Sequence, residues 1–471
     1  MNDRYDVIVV GGGGAGMAAA LMAEAEGARV LLLDAAGQLG GSTAQSGGVL
    51  WAAGTSVQKA RGIADSAEDA YRYYMILNQY RVEPELVRVL CDRAADAVEW
   101  LLEQGVTFLP ENLYQSGVDG IPRGHRATEH GAEIGRVLDA RVSNRGNIEV
   151  ALKTRVSALL RDENGAVRGV SVDGYEVEAG AVVLATGGFG ANPELLARYY
   201  PEAAAHGDWA WYIGIDECRG DAIGLTEPFG VDLGGVNRGL LLLTPGFAKQ
   251  LEPYPPGWLV YVNREGRRFI AESTEYAVTS GVVKEQLAGE CFAIFDEQAR
   301  LECKAPPPTA KNPWGSTWDT ERLAELARTG RVVKADTIEA LGEAAGIRPS
   351  TLATTIARYN EECAAGQDTQ FDKPASYLRP VATGPFYAAR LRPAIVCLTS
   401  CGPRIDPATR VLKRDDTPIQ GLFAAGEATG NVLGERYCGG GNSISNAIVF
   451  GRIAGVQAAR LALGRSNTQP A

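Results

Sequence analysis

Four short apolar runs stand far apart in this chain: Tyr5 to Val10, Val30 to Leu33, Ala181 to Leu184 and Leu422 to Ala425. Runs of this length with little alternation fit parallel strands covered on both faces. They end on glycine or on an acid: Gly11-Gly12-Gly13-Gly14-Ala15-Gly16, then Asp34, then Gly187-Gly188, then Gly426-Glu427. Strands of this kind at both ends of a chain predict one sheet assembled from distant segments. Helical periodicity fills the intervals. An alanine-rich helix follows Gly16, Ser66-Ala67-Glu68-Asp69 is a capped start, and Glu83 to Glu103 is amphipathic and ends at Gly105. The last strong helix carries Asn442, Ser443 and Ser445 in its first turn, and Gly220-Asp221 opens another. Asn147 to Arg168 reads as a hairpin-like pair turning at Glu163-Asn164-Gly165.

The texture changes between about Arg238 and Pro380, where prolines cluster at Pro253 to Pro256 and Pro306 to Pro308 with aromatics and charges between. The expected architecture is therefore α/β: a dinucleotide-binding, Rossmann-type domain from 1–237 and 381–471, with an inserted α+β domain over 238–380. A length of 471 residues agrees with two domains.

Composition narrows the function classes. Hydrophobic residues make up 45% and charged residues 22%, as in ordinary globular proteins. A formal net charge of −11 without long basic runs argues against nucleic acid as a partner. No apolar stretch is long enough to span a bilayer, and the glycine motif begins almost at Met1, so a cytoplasmic protein is expected. The eight cysteines lack metal-type pairing, and no Cys-x-x-Cys-His marks an attached haem. Two of the three histidines, His125 and His130, lie close together without acidic or thiol partners at ligand spacing. Structural or substrate-side roles are expected for them, and no metal.

Candidate chemistry sits at the glycine turns. Gly11-x-Gly13-x-x-Gly16 lies between a strand and a helix, and Asp34 ends the next strand. Glycines let the backbone approach a pyrophosphate at a helix start, and the acid takes ribose hydroxyls. Gly40 to Gly48 offers small hydroxyls beside this turn, in Ser42, Thr43 and Ser46. In the glycine-rich loop after Glu427 stands one phenol, Tyr437.

The ordered motifs VIVVGGGGAG, LLLDAA, GGSTAQSGG, VVLATGGF, RGDAIGL, VNREGRRF, GLFAAGEATG and GGNSISNAIVFGRIAG resemble the fumarate reductase and succinate dehydrogenase flavoprotein superfamily over nearly the whole chain. The resemblance implies FAD and a mobile cap inserted into a flavin domain. By match it places Gly11, Gly13, Gly14, Ala15, Gly16 and Asp34 on the adenosine half. Gly41, Ser42, Thr43, Ser46, Gly47, Gly48, Ala185, Gly187 and Asp221 would line the dinucleotide's path. Glu427 would contact the ribityl chain, with Asn442, Ser443 and Ile444 at the helix start by the flavin ring. Covalent members carry a histidine in the Gly-Gly-Ser stretch, and this chain has none there, which implies non-covalent FAD.

Departures from the family bear on the substrate. Dicarboxylate-reducing members have a His-Thr pair where this chain has Leu398-Thr399, and Arg436 is out of register with their final arginine. Glu275 falls about where they place a cap arginine, an environment expected to repel an anion. The cap tyrosine Tyr276 and the loop tyrosine Tyr437 resemble the catalytic pair of the 3-ketosteroid dehydrogenase branch, especially the Δ4-(5α) type. Gly439 replaces a serine of that pattern, and the loop is about one residue longer. A phenol could act as base if Arg436 lowered its pKa, or as hydrogen-bond donor to a ketone oxygen. The expected activity is desaturation or reduction of a C–C bond beside the ketone of a hydrophobic cyclic substrate, a 3-ketosteroid at Δ4 or Δ1. The alternatives are a reductase of a small unsaturated acid and a non-catalytic electron-transfer or sensor flavoprotein. No second dinucleotide motif is visible, so the electron partner is not named.

Overall fold

A computed structural model describes residues 4–115, 120–250, 255–303 and 317–465. Pro253 and Pro306 to Pro308 of the proline clusters lie outside the described residues. The chain forms two compact units: residues 1–205, 214–240 and 397–471 in one, and 206–213 with 241–396 in the other. The expected second domain, 238–380, differs from this at both ends. Its far boundary moves because Phe386 to Leu391 pair with Cys291–Asp296 and hold residues 381–396 in the second unit.

The four apolar runs are the heart of the first unit. Arg4–Val10 pairs in parallel with Val30–Leu33 on one side and Tyr175–Leu184 on the other, and Pro418–Ala424 lies beside Tyr175–Leu184. Val7, Val30, Val182 and Leu422 are fully buried, as strands covered on both faces require. Ile148–Ala151 extends the sheet in parallel beside Val30–Leu33. That corrects the hairpin reading: Asn147 to Ala151 belongs to the main sheet, and the antiparallel pair is Val156–Arg161 with Val167–Val172.

The two chain ends meet through helices. Gly14–Ala25 packs on the closing helix, Asn442–Ala462, at positions with no room for side chains. A Cβ on Gly451 would stand 2.4 Å from the Ala15 carbonyl oxygen, and one on Gly455 2.1 Å from that of Ala19. Small residues on both helices permit this approach, which seats both glycine turns at the same end of the sheet.

The second unit is built on the long strand Phe386–Thr399, which pairs antiparallel with Cys291–Asp296 and with Val332–Ala335. Its interior holds a buried ion network in which Arg268 binds Glu272 at 3.0 Å and Asp368 at 2.7 Å, and Lys373 binds Glu272 at 3.1 Å. Among the described residues no helix is long and apolar enough to cross a membrane.

Candidate active site

The first turn is shaped by what its glycines exclude. Gly11 has φ +106°, and a Cβ there would lie 2.3 Å from the Ala185 carbonyl oxygen. A Cβ on Gly16 would lie 1.7 Å from the Gly11 oxygen. Gly13 is different: beyond its chain neighbours, no described residue lies within 4 Å of where its Cβ would be. This open cradle, next to the N-terminus of Gly14–Ala25, suits a pyrophosphate. Thr43 Oγ1 accepts the Gly14 N–H at 3.3 Å, so the Gly40–Gly48 segment folds directly over the turn. Part of that segment, Gly41–Gln45, is a short helix.

Asp34 is buried, and its carboxylate accepts Gly12 N–H at 2.5 Å and Ala36 N–H at 2.6 Å. A carboxylate offers about four acceptor positions, so capacity for ribose hydroxyls remains. The hydroxyl of Ser46 donates to Thr43 O at 2.7 Å and accepts the Gly48 N–H at 3.1 Å. Ser42 Oγ accepts the Ile215 N–H at 3.4 Å and lies 3.6 Å from the Cys218 sulfur, the atom a Cβ on Gly187 would approach at 2.9 Å. Asp221 is the first residue of the helix Asp221–Thr226, and its carboxylate is taken up by an ion pair with Arg155.

The second turn gathers the polar groups. On the strand Phe386–Thr399, alternation sends Leu398 into the core at 3% exposure, while Cys397 and Thr399 share the opposite face. Thr399 donates its N–H at 2.9 Å and its hydroxyl at 3.2 Å to Glu427 Oε1. Burial raises the Glu427 carboxyl to about 7 against those two hydrogen bonds. Burial also pushes the Cys397 thiol up to about 12, with Glu427 adding to the shift. Among the described residues, no arginine or lysine forms an ion pair with Glu427, whose hydrogen bonds come from Thr399.

Tyr437 closes this corner. Its hydroxyl lies 3.1 Å from Ser443 Oγ and accepts the N–H groups of Gly441 and Ser443 at 3.4 Å each, at the start of the closing helix. Burial raises the phenol's pKa well above its usual value, with the nearby Cys397 adding to the effect. The expected activation by Arg436 is therefore corrected: Arg436 is exposed, and the phenol keeps its proton. The helix Ala67–Leu77 holds the loop in place. Tyr73 donates to Cys438 O at 3.2 Å, Tyr74 donates to Val432 O at 3.1 Å, and Asn78 accepts the Arg436 N–H at 2.9 Å. Asn442 Oδ1 and Thr186 Oγ1 are buried without partners. Buried polar atoms without partners fit a site completed by a hydrogen-bonding ligand. Together with the Gly13 cradle they fit FAD.

Tyr276 belongs to the second unit, as the first residue of the helix Tyr276–Lys284. It lines a cavity of about 360 Å³ together with Tyr261, Tyr377, Pro256 and Thr274. Glu275 is that helix's cap, accepting N–H groups of Ala277 at 2.8 Å and Val278 at 3.3 Å. Burial raises its carboxyl to about 7. Glu275 is thus a helix cap whose negative charge burial disfavours.

The histidines are structural. His125 is buried, its ring nitrogens lie 2.7 Å from Thr55 Oγ1 and 2.9 Å from Arg123 O, and burial lowers its pKa to about 4. His130 Nδ1 lies 3.3 Å from Gly47 O. Among the described residues no three His, Cys, Asp or Glu side chains come together as metal ligands.

Sequence reasoning missed Cys397 and Thr399 as the site-facing residues, having singled out Leu398 between them. Strand alternation, counted back from Thr399, is the signal that separates them.

The FAD binding domain family matches residues 6–444 of the chain. Fumarate reductase (cytochrome) of Shewanella frigidimarina is 32% identical over 98% of this chain and 78% of its own length. Urocanate reductase of Eggerthella lenta is 32% identical over 97% of this chain and 75% of its own length. Among solved structures, 3-ketosteroid-Δ4-(5α)-dehydrogenase from Rhodococcus jostii RHA1, in complex with 4-androstene-3,17-dione, superposes with a TM-score of 0.79 at 26% identity, covering 97% of both chains.

Proposed function

The chain belongs to the FAD-binding flavoproteins of the fumarate reductase and succinate dehydrogenase superfamily, and from that premise we propose that it reduces or forms a C–C double bond beside the carbonyl of an uncharged, ring-containing substrate. Bound FAD supplies the two-electron chemistry. Gly11, Gly13 and Gly16 with Asp34 would hold its adenosine half, and Glu427, Asn442 and Ser443 the flavin half. The ketosteroid-type substrate rests on one observation. The polar corner of Cys397, Thr399, Glu427 and Tyr437 contains a neutral thiol and a neutral phenol, and among the described residues no arginine or lysine pairs with Glu427. A dicarboxylate needs a cationic clamp, whereas a ketone oxygen needs a donor.

Tyr437 has the properties of that donor. With its pKa raised it retains its proton at neutral pH, so it can hydrogen-bond a carbonyl oxygen or deliver a proton to carbon in the reductive direction. Ser443 Oγ, 3.1 Å away, is placed to return that proton. Tyr276 is proposed as a second phenol in the reaction on the family resemblance. The test is anaerobic: reduced protein is mixed with a 3-keto-4-ene steroid or with fumarate, and the flavin band is followed. Reoxidation by the steroid but not by fumarate supports the reading, and the reverse order overturns it.

A second reading has support of its own. Relatives that are 32% identical are named for fumarate and urocanate, so reduction of an unsaturated acid is the alternative that the same panel decides.

A further inference from the structure

In the second unit, three arginines converge on one carboxylate. Glu290 is fully buried, and Arg264 stands 2.5 Å, Arg392 2.7 Å and Arg390 3.8 Å from it. Among the described residues, Glu290 is the acid in every ion pair that Arg264, Arg390 and Arg392 make. A fourth arginine adds to the cluster. Val332 pairs with Ala389, and Arg331 directly precedes that paired residue. Trp209 lies among them, with its ring 5.1 Å from the Arg392 guanidinium and 5.9 Å from that of Arg331.

This arrangement is costly for the fold, because like charges gathered around one carboxylate repel each other. It is also unusual in a chain whose net charge is −11. The guanidiniums retain donors. Arg392 spends Nε and Nη2 on Glu290, leaving three of the five N–H groups that an arginine carries. Arg390 makes no hydrogen bond through its guanidinium to any described residue, is 40% exposed, and stacks over Phe292 at 5.6 Å. Arg264 Nε is buried and unpartnered. Glu290 thus orients the cluster while balancing a single one of its charges. Groups within 3.8 Å of one carboxylate also lie close enough together to reach one small anion.

We propose that Arg264, Arg331, Arg390 and Arg392 form a site within the second unit for a phosphate-type anion carried by a small molecule. Free pyrophosphate and a nucleotide diphosphate share this chemistry, and the Trp209 ring would add stacking for a nucleotide base. The proposal does not depend on which substrate the flavin acts upon.

The test uses the FAD-loaded protein, so that the glycine turn near Gly13 is filled and does not compete. Calorimetric titration with pyrophosphate at low salt should give saturable binding that weakens as salt is raised. Arg390→Ala should weaken it by roughly tenfold or more, the size of one lost charge-assisted hydrogen bond, while flavin content stays unchanged. Arg331→Ala, at an exposed position, should weaken it in the same direction. ADP binding more tightly than pyrophosphate, with the advantage lost in Trp209→Ala, identifies a nucleotide as the source. Equal binding identifies the free anion. No saturable binding of either probe to the unaltered protein overturns the proposal, as does binding that Arg390→Ala and Arg331→Ala leave unchanged.

Discussion

The Tyr437 hydroxyl lies 3.1 Å from Ser443 Oγ and accepts two backbone N–H groups at the start of the closing helix. A phenol so placed has its lone pairs directed at the helix and its proton free to go to Ser443 or to a substrate oxygen. Burial keeps that proton on at neutral pH. The helix start would favour a phenolate, but desolvation outweighs it.

Tyr437→Phe removes this hydroxyl and little else. Folding and FAD content should survive, while substrate-dependent change of the flavin band should slow by about 100-fold or more, the usual value of a general acid or an oxyanion donor. Stopped-flow measurement on the FAD-loaded variant checks this, and an unchanged rate would return Tyr437 to packing. Tyr276→Phe is measured beside it. If the two phenols act on one substrate, the double variant should lose far less than the product of the single losses.

The glycine turn separates folding from cofactor binding. Gly11→Ala places a Cβ 2.3 Å from the Ala185 carbonyl oxygen at φ +106°, so the protein should be destabilised even without FAD. Gly13→Ala meets no described residue beyond its chain neighbours within 4 Å, so apoprotein stability should be unchanged while FAD affinity falls. Thermal melts with and without added FAD read both effects. Equal loss of apoprotein stability in the two variants would count against the cradle. FAD should also leave the chain on acid precipitation, since Ser42 and its neighbours include no histidine to hold it covalently.

Much of this was legible beforehand because it depends on short-range pattern. Unbroken apolar runs predicted the parallel strands, and glycines between strand and helix predicted the turn at Gly11 to Gly16. What escaped depends on contacts between distant segments. Ile148–Ala151 has a strand composition, but only its register beside Val30–Leu33 makes it part of the main sheet. Arg436 is one residue from Tyr437 in sequence, yet its side chain is exposed while the phenol's hydroxyl turns to the helix start. Aligning residue types set Leu398 in the histidine's place, whereas the pleat puts Cys397 and Thr399 on the face toward Glu427.

Glu427 should make the stability of the apoprotein depend on pH. Its folded pKa, about 7, is raised above the usual 4.5, so the folded state binds more protons than the unfolded chain between those values. Its stabilising contribution is therefore fully present below about 4.5 and is lost as pH rises to about 7. The slope approaches about 1.4 kcal/mol per pH unit at most and is smaller for a partly solvated group. Glu427→Gln should be more stable than the unaltered apoprotein at pH 8, with the advantage shrinking toward pH 4. Glu275 has the same sign and a similar window, so the difference between the two unfolding curves, not either alone, isolates Glu427.

Substrate charge is the remaining prediction, and the same carboxyl sharpens it. Leu398 is buried in the core, Cys397 is a neutral thiol, and among the described residues no cation pairs with Glu427. An incoming dicarboxylate would meet a partly ionised Glu427 with no compensating positive charge, which costs binding. An uncharged enone meets only the phenol's hydrogen bond. Reduced protein should therefore be reoxidised by a 3-keto-4-ene steroid at least about 100-fold faster than by fumarate at pH 8, the size of one missing donor or clamp. Acidification toward pH 6 protonates Glu427 and should narrow the ratio by helping fumarate more than the steroid. Stopped-flow reoxidation across that range measures both. Fumarate reacting as fast as the steroid at pH 8 would mean that a clamp exists elsewhere and would favour the unsaturated-acid reading.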